Sequence, residues 1–515
     1  MYSEAMTQLA ESASADARAL ASTESGVVRG TDDGAVTRFY GVPYAAAPVG
    51  QLRFALPQTA APWSGTRDAS QRGFIAPQFV PSAAELEKAL PGLDIAPLIG
   101  GDQQQGDDFL VLNIWKPSGA QTNLPVMVFI HGGSFTGGAG AADVYDGSAF
   151  ARAGIVLVTI NYRLGIEGFL PIPGAPTNLG LRDQIAALRW VQNNIAAFGG
   201  DAANVTVFGE SAGAMSVANL LASPLAKGLF RRAIVQSGHG DMVRPIPVAQ
   251  RLVAKLAKMM RVKPALDGFR SRSIADCLTA LQKVSQPTAQ IDLRNPDKRE
   301  PAFGLSKFLP VYGDEVLPEH PITALRKGAG ADVQLLIGTN TEEMNLYFVP
   351  SGVRKKLGKF LAHFMVKRAE PKAKEILKAY GIDDRKRRPG DAFTEALTDL
   401  VFRLPARRFA QAHKGRTHVY AFAWRSNAYG GQLGACHAIE LPFVFDTLST
   451  VSGPRGLAGG EPPQALATKL NGIWANFAKT GDLPWPEYDD NKIACTIDTG
   501  VVAPEVPFIA ERFLP

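Results

Sequence analysis

Short apolar, β-branched runs recur along this chain and alternate with stretches of helical period. Val126–Ile130, Ile155–Ile160, Val205–Phe208, Ala233–Val235, Val333–Ile337 and Val419–Trp424 read as buried strands. Between the second and third, Leu181–Phe198 sets Ile185, Leu188, Val191 and Ile195 at helical spacing and stops at Gly199-Gly200. Ala214–Ala222 and Ala465–Lys479 read as further helices, and the chain after the latter is Pro-rich and irregular. Strand–helix–strand alternation predicts an α/β fold with a largely parallel central sheet and helices on both faces. In such sheets function collects at the carboxyl ends of the strands.

Two polar, helix-prone, Pro-interrupted stretches, about 245–307 and 352–415, read as helical excursions over that strand-end face. Residues 1–23 read as a polar extension and 24–515 as one catalytic domain. With 515 residues, 46% of them hydrophobic, the chain is long enough to bury a large core. No apolar stretch reaches the ~18 residues of a membrane span, so no membrane partner is expected. The polar N-terminus has no apolar signal core, which fits a cytoplasmic protein or a mature secreted or periplasmic form. Cys277, Cys436 and Cys495 share no metal-type spacing and read as unpaired thiols; neither metal nor cofactor is expected.

The net charge of +6 is unevenly spread. Residues 1–250 hold 16 basic and 20 acidic groups, and residues 251–515 hold 38 and 28. The bland reading is a solvated basic surface; a sharper one is attraction of anionic substrates. Basic runs such as Arg385-Lys-Arg-Arg388 lack interleaved aromatics, so no nucleic-acid partner is expected.

The chemistry starts at Gly209-Glu210-Ser211-Ala212-Gly213, set between a strand and a helix. This is the pattern of a nucleophile elbow, in which small neighbours let a cramped turn lift the Ser hydroxyl off the sheet. His131-Gly132-Gly133-Ser134-Phe135 follows the first strand, where an oxyanion loop belongs. Its backbone N–H groups, with that of Ala212, are candidate donors to a developing oxyanion. His131 itself reads as structural. A base is expected after the acid in chain order, and His437, in the loop Gly430-Gly-Gln-Leu-Gly-Ala-Cys-His437, fits best by order and loop position. The acid lies at Glu342-Glu343, after the strand Val333–Ile337, and composition does not separate the two.

Further blocks carry a resemblance. They include Phe39-Tyr-Gly-Val-Pro-Tyr-Ala45, Pro48-Val-Gly-Gln-Leu-Arg-Phe54, Asp107-Asp-Phe-Leu-Val-Leu-Asn113, Asn161-Tyr-Arg-Leu-Gly165, Asn178-Leu-Gly-Leu-Arg-Asp-Gln184 and Gln236-Ser-Gly238. In this order they resemble the type-B carboxylesterases, a family that includes the bacterial p-nitrobenzyl esterases and the cholinesterases. The resemblance runs from about residue 24 to the C-terminus. It implies an α/β-hydrolase fold and a triad of Ser211, Glu343 and His437, which selects the second glutamate. It implies oxyanion donors at Gly133, Ser134 and Ala212, and an ion pair between Arg53 and Asp107. Ser134 stands where the family has a third Gly, and Met344 stands where it often has Gly, which implies a narrowed pocket wall. Phe109 replaces a Cys that many secreted members pair. The acyl pocket is expected to begin after Gly238, at His239 and Met242.

The expected function is hydrolysis of small-molecule carboxylic esters through an acyl-enzyme. The competing readings are a non-catalytic binding protein of the same fold, and a lipase, polyester or amide hydrolase using the same site. Oligomeric state is left open.

Overall fold

The computed structural model describes residues 19–514 apart from Asp102 and Pro287. Eleven strands form the main sheet: β1 (Thr31–Asp32), β2 (Val36–Pro43), β3 (Val111–Pro117), β4 (Leu124–Ile130), β5 (Val156–Ile160), β6 (Gly200–Glu210), β7 (Arg232–Gln236), β8 (Gln334–Asn340), β9 (Thr417–Phe422), β10 (Ile493–Ile497) and β11 (Val501–Pro504). Their spatial order is β11-β10-β9-β8-β7-β6-β4-β5-β3-β2-β1. From β5 to β10 every neighbouring pair is parallel, and both flanks are antiparallel.

The six strands expected from the apolar runs all lie in the parallel centre. Central parallel strands are covered on both faces, so their sequences are apolar throughout. In β4, Val126, Val128 and Ile130 enter the core on one face while Met127 and Phe129 enter the other. The second core gathers Phe129, Phe208 and Phe445, whose rings pack 4.9 and 5.0 Å from Phe129.

The strands outside the six were not legible, for local reasons. β2 carries Arg38, Gly41 and Pro43 and shifts register between Phe39 and Val42, so its alternation is broken. β10 is five residues long and lies in the tail read as irregular. Within the segment read as a polar extension, Leu20–Thr23 pairs antiparallel with Gly26–Arg29, which pairs with Thr66–Asp68. Residues 1–18 of that extension lie outside the described residues.

Helices α1 (Leu179–Asn194) and α2 (Ala212–Ala222) follow β5 and β6 as the spacing predicts. Two of the sequence blocks meet here. Asp183 on α1 takes Arg163 in a two-pronged ion pair, Nη2–Oδ1 2.6 Å and Nε–Oδ2 2.8 Å, with both side chains fully buried. The first excursion forms α3 (Ile246–Met260) and α4 (Ile274–Ser285). The second forms α5 (Lys359–Lys367), α6 (Pro389–Thr398), a π-helical turn at Asp399–Arg403, and α7 (Leu404–Ala412). Helix α8 (Gln464–Thr480) covers the opposite face and buries Trp474.

The implied Arg53–Asp107 pair does not form. Arg53 donates to Glu167 of the short helix Gly165–Phe169, with Nη2–Oε1 at 2.6 Å and Nε–Oε2 at 3.1 Å, and to the carbonyl of Arg272. Glu167 is mostly buried beside the guanidinium, whereas Asp107 is exposed. A buried cation takes the carboxylate that shares its burial.

Candidate active site

Ser211 links β6 to α2 with φ 55° and ψ −124°, a conformation an L residue adopts only when its surroundings hold it. The elbow sits against the end of β4. A Cβ on Gly213 would lie 1.9 Å from the Ile130 carbonyl oxygen, and one on Gly209 would lie 2.7 Å from it. The two glycines are therefore required by the approach of a neighbouring strand as well as by the turn itself. The Ser211 N–H donates to the Gln236 carbonyl at 3.0 Å, which ties the elbow to β7.

His437 reaches Ser211 from the loop after β9. Its Nε2 accepts from Ser211 Oγ at 2.8 Å, and its Nδ1 donates to Glu343 Oε2 at 2.7 Å; this tautomer follows from the partners. Glu343 is fully buried, and its other oxygen accepts from Ser237 Oγ at 2.6 Å and from the Asn340 N–H at 2.8 Å. Glu342 faces the opposite way. It accepts from the Ala435 N–H at 3.0 Å and pairs with Arg425, so it anchors the loop that carries His437. The structure thus separates two glutamates that composition left equal.

Two further carboxylates surround the imidazole, and the sequence reading assigned neither a role. Glu210 Oε1 stands 3.1 Å from His437 Nε2 without a hydrogen bond of its own. Glu440 accepts from Asn340 Nδ2 at 2.6 Å and from Gln236 Nε2 at 3.2 Å, and Gln236 in turn accepts from Trp474 at 3.0 Å. Burial pushes the Glu210 carboxyl well above the ordinary carboxylate range, and Glu440 and Glu343 push it further. Burial alone lowers the His437 imidazolium, but Glu210, Glu343 and Glu440 outweigh it and raise it. Glu210 sits inside the elbow pentapeptide, and that position was the only available signal. Ring faces close the site: Phe402, on the π-helical turn, lies 4.7 Å from the imidazole, and Tyr347 lies 5.7 Å away.

The loop after β4 runs against the elbow, where a Cβ on Gly132 would lie 3.1 Å from the Ser211 Cβ. Gly133 has φ 107° and Ser134 φ 57°. A Cβ on Gly133 would lie 2.1 Å from the Gly137 carbonyl, so only Gly fits there. Ser134 holds positive φ with a Cβ, and its carbonyl accepts from Ser306 Oγ at 2.8 Å, which pins the loop to the first excursion. Among the described residues, the N–H groups of Gly133, Ser134 and Ala212 donate to no protein acceptor. His131 is structural in placement: its ring stacks on Tyr162 at 4.5 Å, it donates to the Gly132 carbonyl, and burial lowers its pKa to about 4.

The residues expected to open an acyl pocket, His239, Met242 and Met344, are all buried. His239 is buried, donates to the Val401 carbonyl at 2.7 Å, and lines a separate charged cavity of about 630 Å³ with Asp241, Arg299 and Arg408. That cavity includes none of Ser211, Glu343 or His437. Met242 and Met344 are core residues, and the Met344 N–H donates to Thr398 Oγ1 at 3.2 Å. The backbone takes φ 54° at Ser237, just after β7, and a Cβ on the next residue, Gly238, would lie 2.6 Å from the Ala214 Cβ of α2. Of the other histidines, His413 is bound to Thr417 and Gly330, and His418 lies within β9.

A family model described as the carboxylesterase family matches residues 17–499. The chain belongs to the carboxylesterase family. It is 36% identical over 488 residues to the para-nitrobenzyl esterase of Bacillus subtilis (strain 168), covering 92% of this chain and 93% of that protein. It is 32% identical to the fumonisin B1 esterase of Sphingopyxis macrogoltabida, covering 92% and 85%. Among solved structures, a carboxylesterase of Geobacillus stearothermophilus superimposes with a TM-score of 0.81 at 33% identity, covering 96% of this chain and 99% of that one. A PNB esterase gives 0.79 at 33% identity, covering 96% and 99%. The architecture is the α/β-hydrolase fold, and this carboxylesterase is a serine-dependent carboxylic ester hydrolase. Among its described residues no helix is long and apolar enough to cross a membrane.

Proposed function

We propose that Ser211, His437 and Glu343 are the catalytic triad of this carboxylesterase, and that the N–H groups of Gly133, Ser134 and Ala212 form its oxyanion hole. The observation that carries this reading is the continuous relay Ser211 Oγ–His437 Nε2–Nδ1–Glu343, with links of 2.8 and 2.7 Å. Each member comes from the carboxyl end of a different strand.

In the proposed cycle, His437 Nε2 takes the Ser211 proton as Oγ attacks the ester carbonyl. The carbonyl oxygen becomes an oxyanion held by the three N–H groups. Glu343 keeps the proton on Nδ1 and stabilises the imidazolium. His437 then gives the Nε2 proton to the departing alkoxide, the C–O bond breaks, and the alcohol leaves an acyl-Ser211. Water, deprotonated by His437, attacks the acyl carbon; collapse releases the acid and returns the proton to Ser211. The walls nearest the imidazole, Phe402 and Tyr347, favour substrates whose groups beside the ester are apolar.

The test is initial-rate hydrolysis of p-nitrophenyl esters from acetate to palmitate, with Ser211→Ala beside wild type, and labelling by an organophosphonate ester. Wild type is expected to turn over and label, and Ser211→Ala to lose kcat by about 10⁶-fold with no label. A Ser211→Ala variant that retains turnover overturns the assignment.

A further inference from the structure

The basic excess of the second half of the chain is concentrated. Residues 352–388 hold thirteen basic and four acidic residues, a net +9 in a chain whose total is +6. Helix α5 lies in this segment and is apolar on two faces. Ala362 and Val366, four apart, turn inward and are buried. Phe360, Leu361, Phe364 and Met365 share the outward face and are 88%, 50%, 53% and 39% exposed. A stripe of large apolar side chains left in water is unfavourable, and on a folded protein it marks a surface made for something else.

The rim of the stripe is cationic. Lys355 and Lys356, on the short helix Val353–Lys356, precede it; Lys367, Arg368 and Lys372 follow it. Among the described residues none of these five forms an ion pair, although Arg368 lies 5.8 Å over the Phe364 ring. Nearby cations that do have partners, Lys359 with Asp383 at 3.3 Å and Arg388 with Asp391 at 3.0 Å, are spoken for. The free positive charge therefore lies beside the exposed apolar face.

We propose that α5 and its basic rim form a docking surface for an anionic phospholipid bilayer. Lysines and arginines would meet the headgroups while Phe360, Leu361, Phe364 and Met365 enter the acyl boundary, the arrangement of an interfacial helix. The sequence-based expectation of no membrane partner rested on the lack of a spanning segment, and peripheral docking needs none. A second copy of the chain is the weaker occupant. A two-fold interface sets the same surface against itself, so two +9 segments would face each other. Four side chains also fall far short of the roughly 20–30 residues a side of a stable interface. Nucleic acid is disfavoured because the aromatics stand on a convex helix rather than along a groove that bases can track. The surface is one layer from the chemistry. Helix α5 packs on α6, and α6 runs straight into the π-helical turn that sets Phe402 against His437. Docking there would bring the enzyme to esters that partition into a membrane.

The experiment is vesicle co-sedimentation of the full chain with phosphatidylcholine alone and with phosphatidylcholine containing one-third phosphatidylglycerol. Phe360→Ser/Phe364→Ser and Lys355→Glu/Lys356→Glu run beside wild type, and p-nitrophenyl acetate turnover in free solution serves as the folding control. Wild type is expected to bind the anionic vesicles about tenfold or more tightly than neutral ones, and to be released at high salt. Each double variant is expected to lose that preference while keeping wild-type turnover. No preference for anionic vesicles, or equal binding by both variants, overturns the proposal. So does a dimer by light scattering that becomes monomeric in Phe360→Ser/Phe364→Ser, which would give the surface to a second copy. Retention by a DNA oligonucleotide without vesicle binding would give the rim to nucleic acid and likewise overturn it.

Discussion

Glu210 Oε1 lies 3.1 Å from His437 Nε2, the same nitrogen that faces Ser211 Oγ at 2.8 Å. A carboxylate beside the nitrogen proposed to accept the Ser211 proton favours the imidazolium, and so opposes the proposed base in its working form. The raised His437 pKa places the acid limb of kcat/KM above the ~6.5 of an unperturbed imidazole. Glu210→Gln removes one of the charges responsible, and the limb is expected to move to lower pH by about one unit or more. A pH–rate profile of the two proteins checks this; superimposable acid limbs would mean that Glu210 stays protonated throughout and does not tune the base.

The same residue carries a pH dependence of stability. A carboxyl whose folded pKa is raised binds more protons folded than unfolded, so its contribution to stability falls as pH rises from its unfolded value toward its folded one. His437, also raised, loses its stabilising contribution as pH climbs through its folded pKa. Both effects weaken the fold on the alkaline side. Thermal melts from pH 6 to about 9 are expected to show a smaller decline in Glu210→Gln than in wild type. Parallel declines would contradict this.

Glu342 and Glu343 are neighbours with opposite duties, so the two variants should diverge. Glu343→Gln leaves the His437 tautomer wrongly held, and kcat is expected to fall by about 10³–10⁴-fold with little change in the melting curve. Glu342→Gln breaks the Arg425 pair and weakens the acceptor for Ala435 N–H. It is expected to cost about 1 kcal/mol of stability and less than about tenfold in kcat. Equal losses of kcat in the two would show that the loop anchor matters as much as the relay.

Gly213→Ala tests the strand approach behind the elbow. The added methyl meets the Ile130 carbonyl, which is backbone in the middle of the sheet and has nowhere to move. The variant is expected to lose about 1–3 kcal/mol or more, and to lose activity in whatever folds. Wild-type turnover and melting would show that the elbow can shift away from β4.

Asp183 holds Arg163 in a site with no access to water. Asp183→Ala leaves an unpaired buried guanidinium and is expected to destabilise by about 3–5 kcal/mol, read as a shift in urea midpoint at unchanged slope. A shift within experimental error would mean that water or another acceptor reaches Arg163.

What the sequence determined by itself follows from local rules. The central strands were legible because a parallel strand buried on both faces must be apolar along its length, as Val126–Ile130 is. Helix α1 was legible from the spacing of Ile185, Leu188, Val191 and Ile195. Ser211 stood out because its two glycines and its place between strand and helix are local facts, and His437 because chain order and loop position narrowed the field. The tertiary structure decided whatever depended on two distant segments meeting. Glu342 and Glu343 have the same chemistry and adjoining positions, and only the direction in which the backbone leaves β8 turns one toward His437 and the other toward Arg425. Arg53 took Glu167 rather than Asp107 because burial, which no sequence interval encodes, selects the partner. His239 and Met242 follow β7 closely, and only the fold shows that one bonds the Val401 carbonyl and the other packs into the core. Glu210, Glu440, Phe402 and Tyr347 surround the imidazole from four different segments. Strands β2 and β10 escaped because a bulge breaks the alternation of the one and the other lies in a Pro-rich tail, so neither pattern is clear until its neighbours are known.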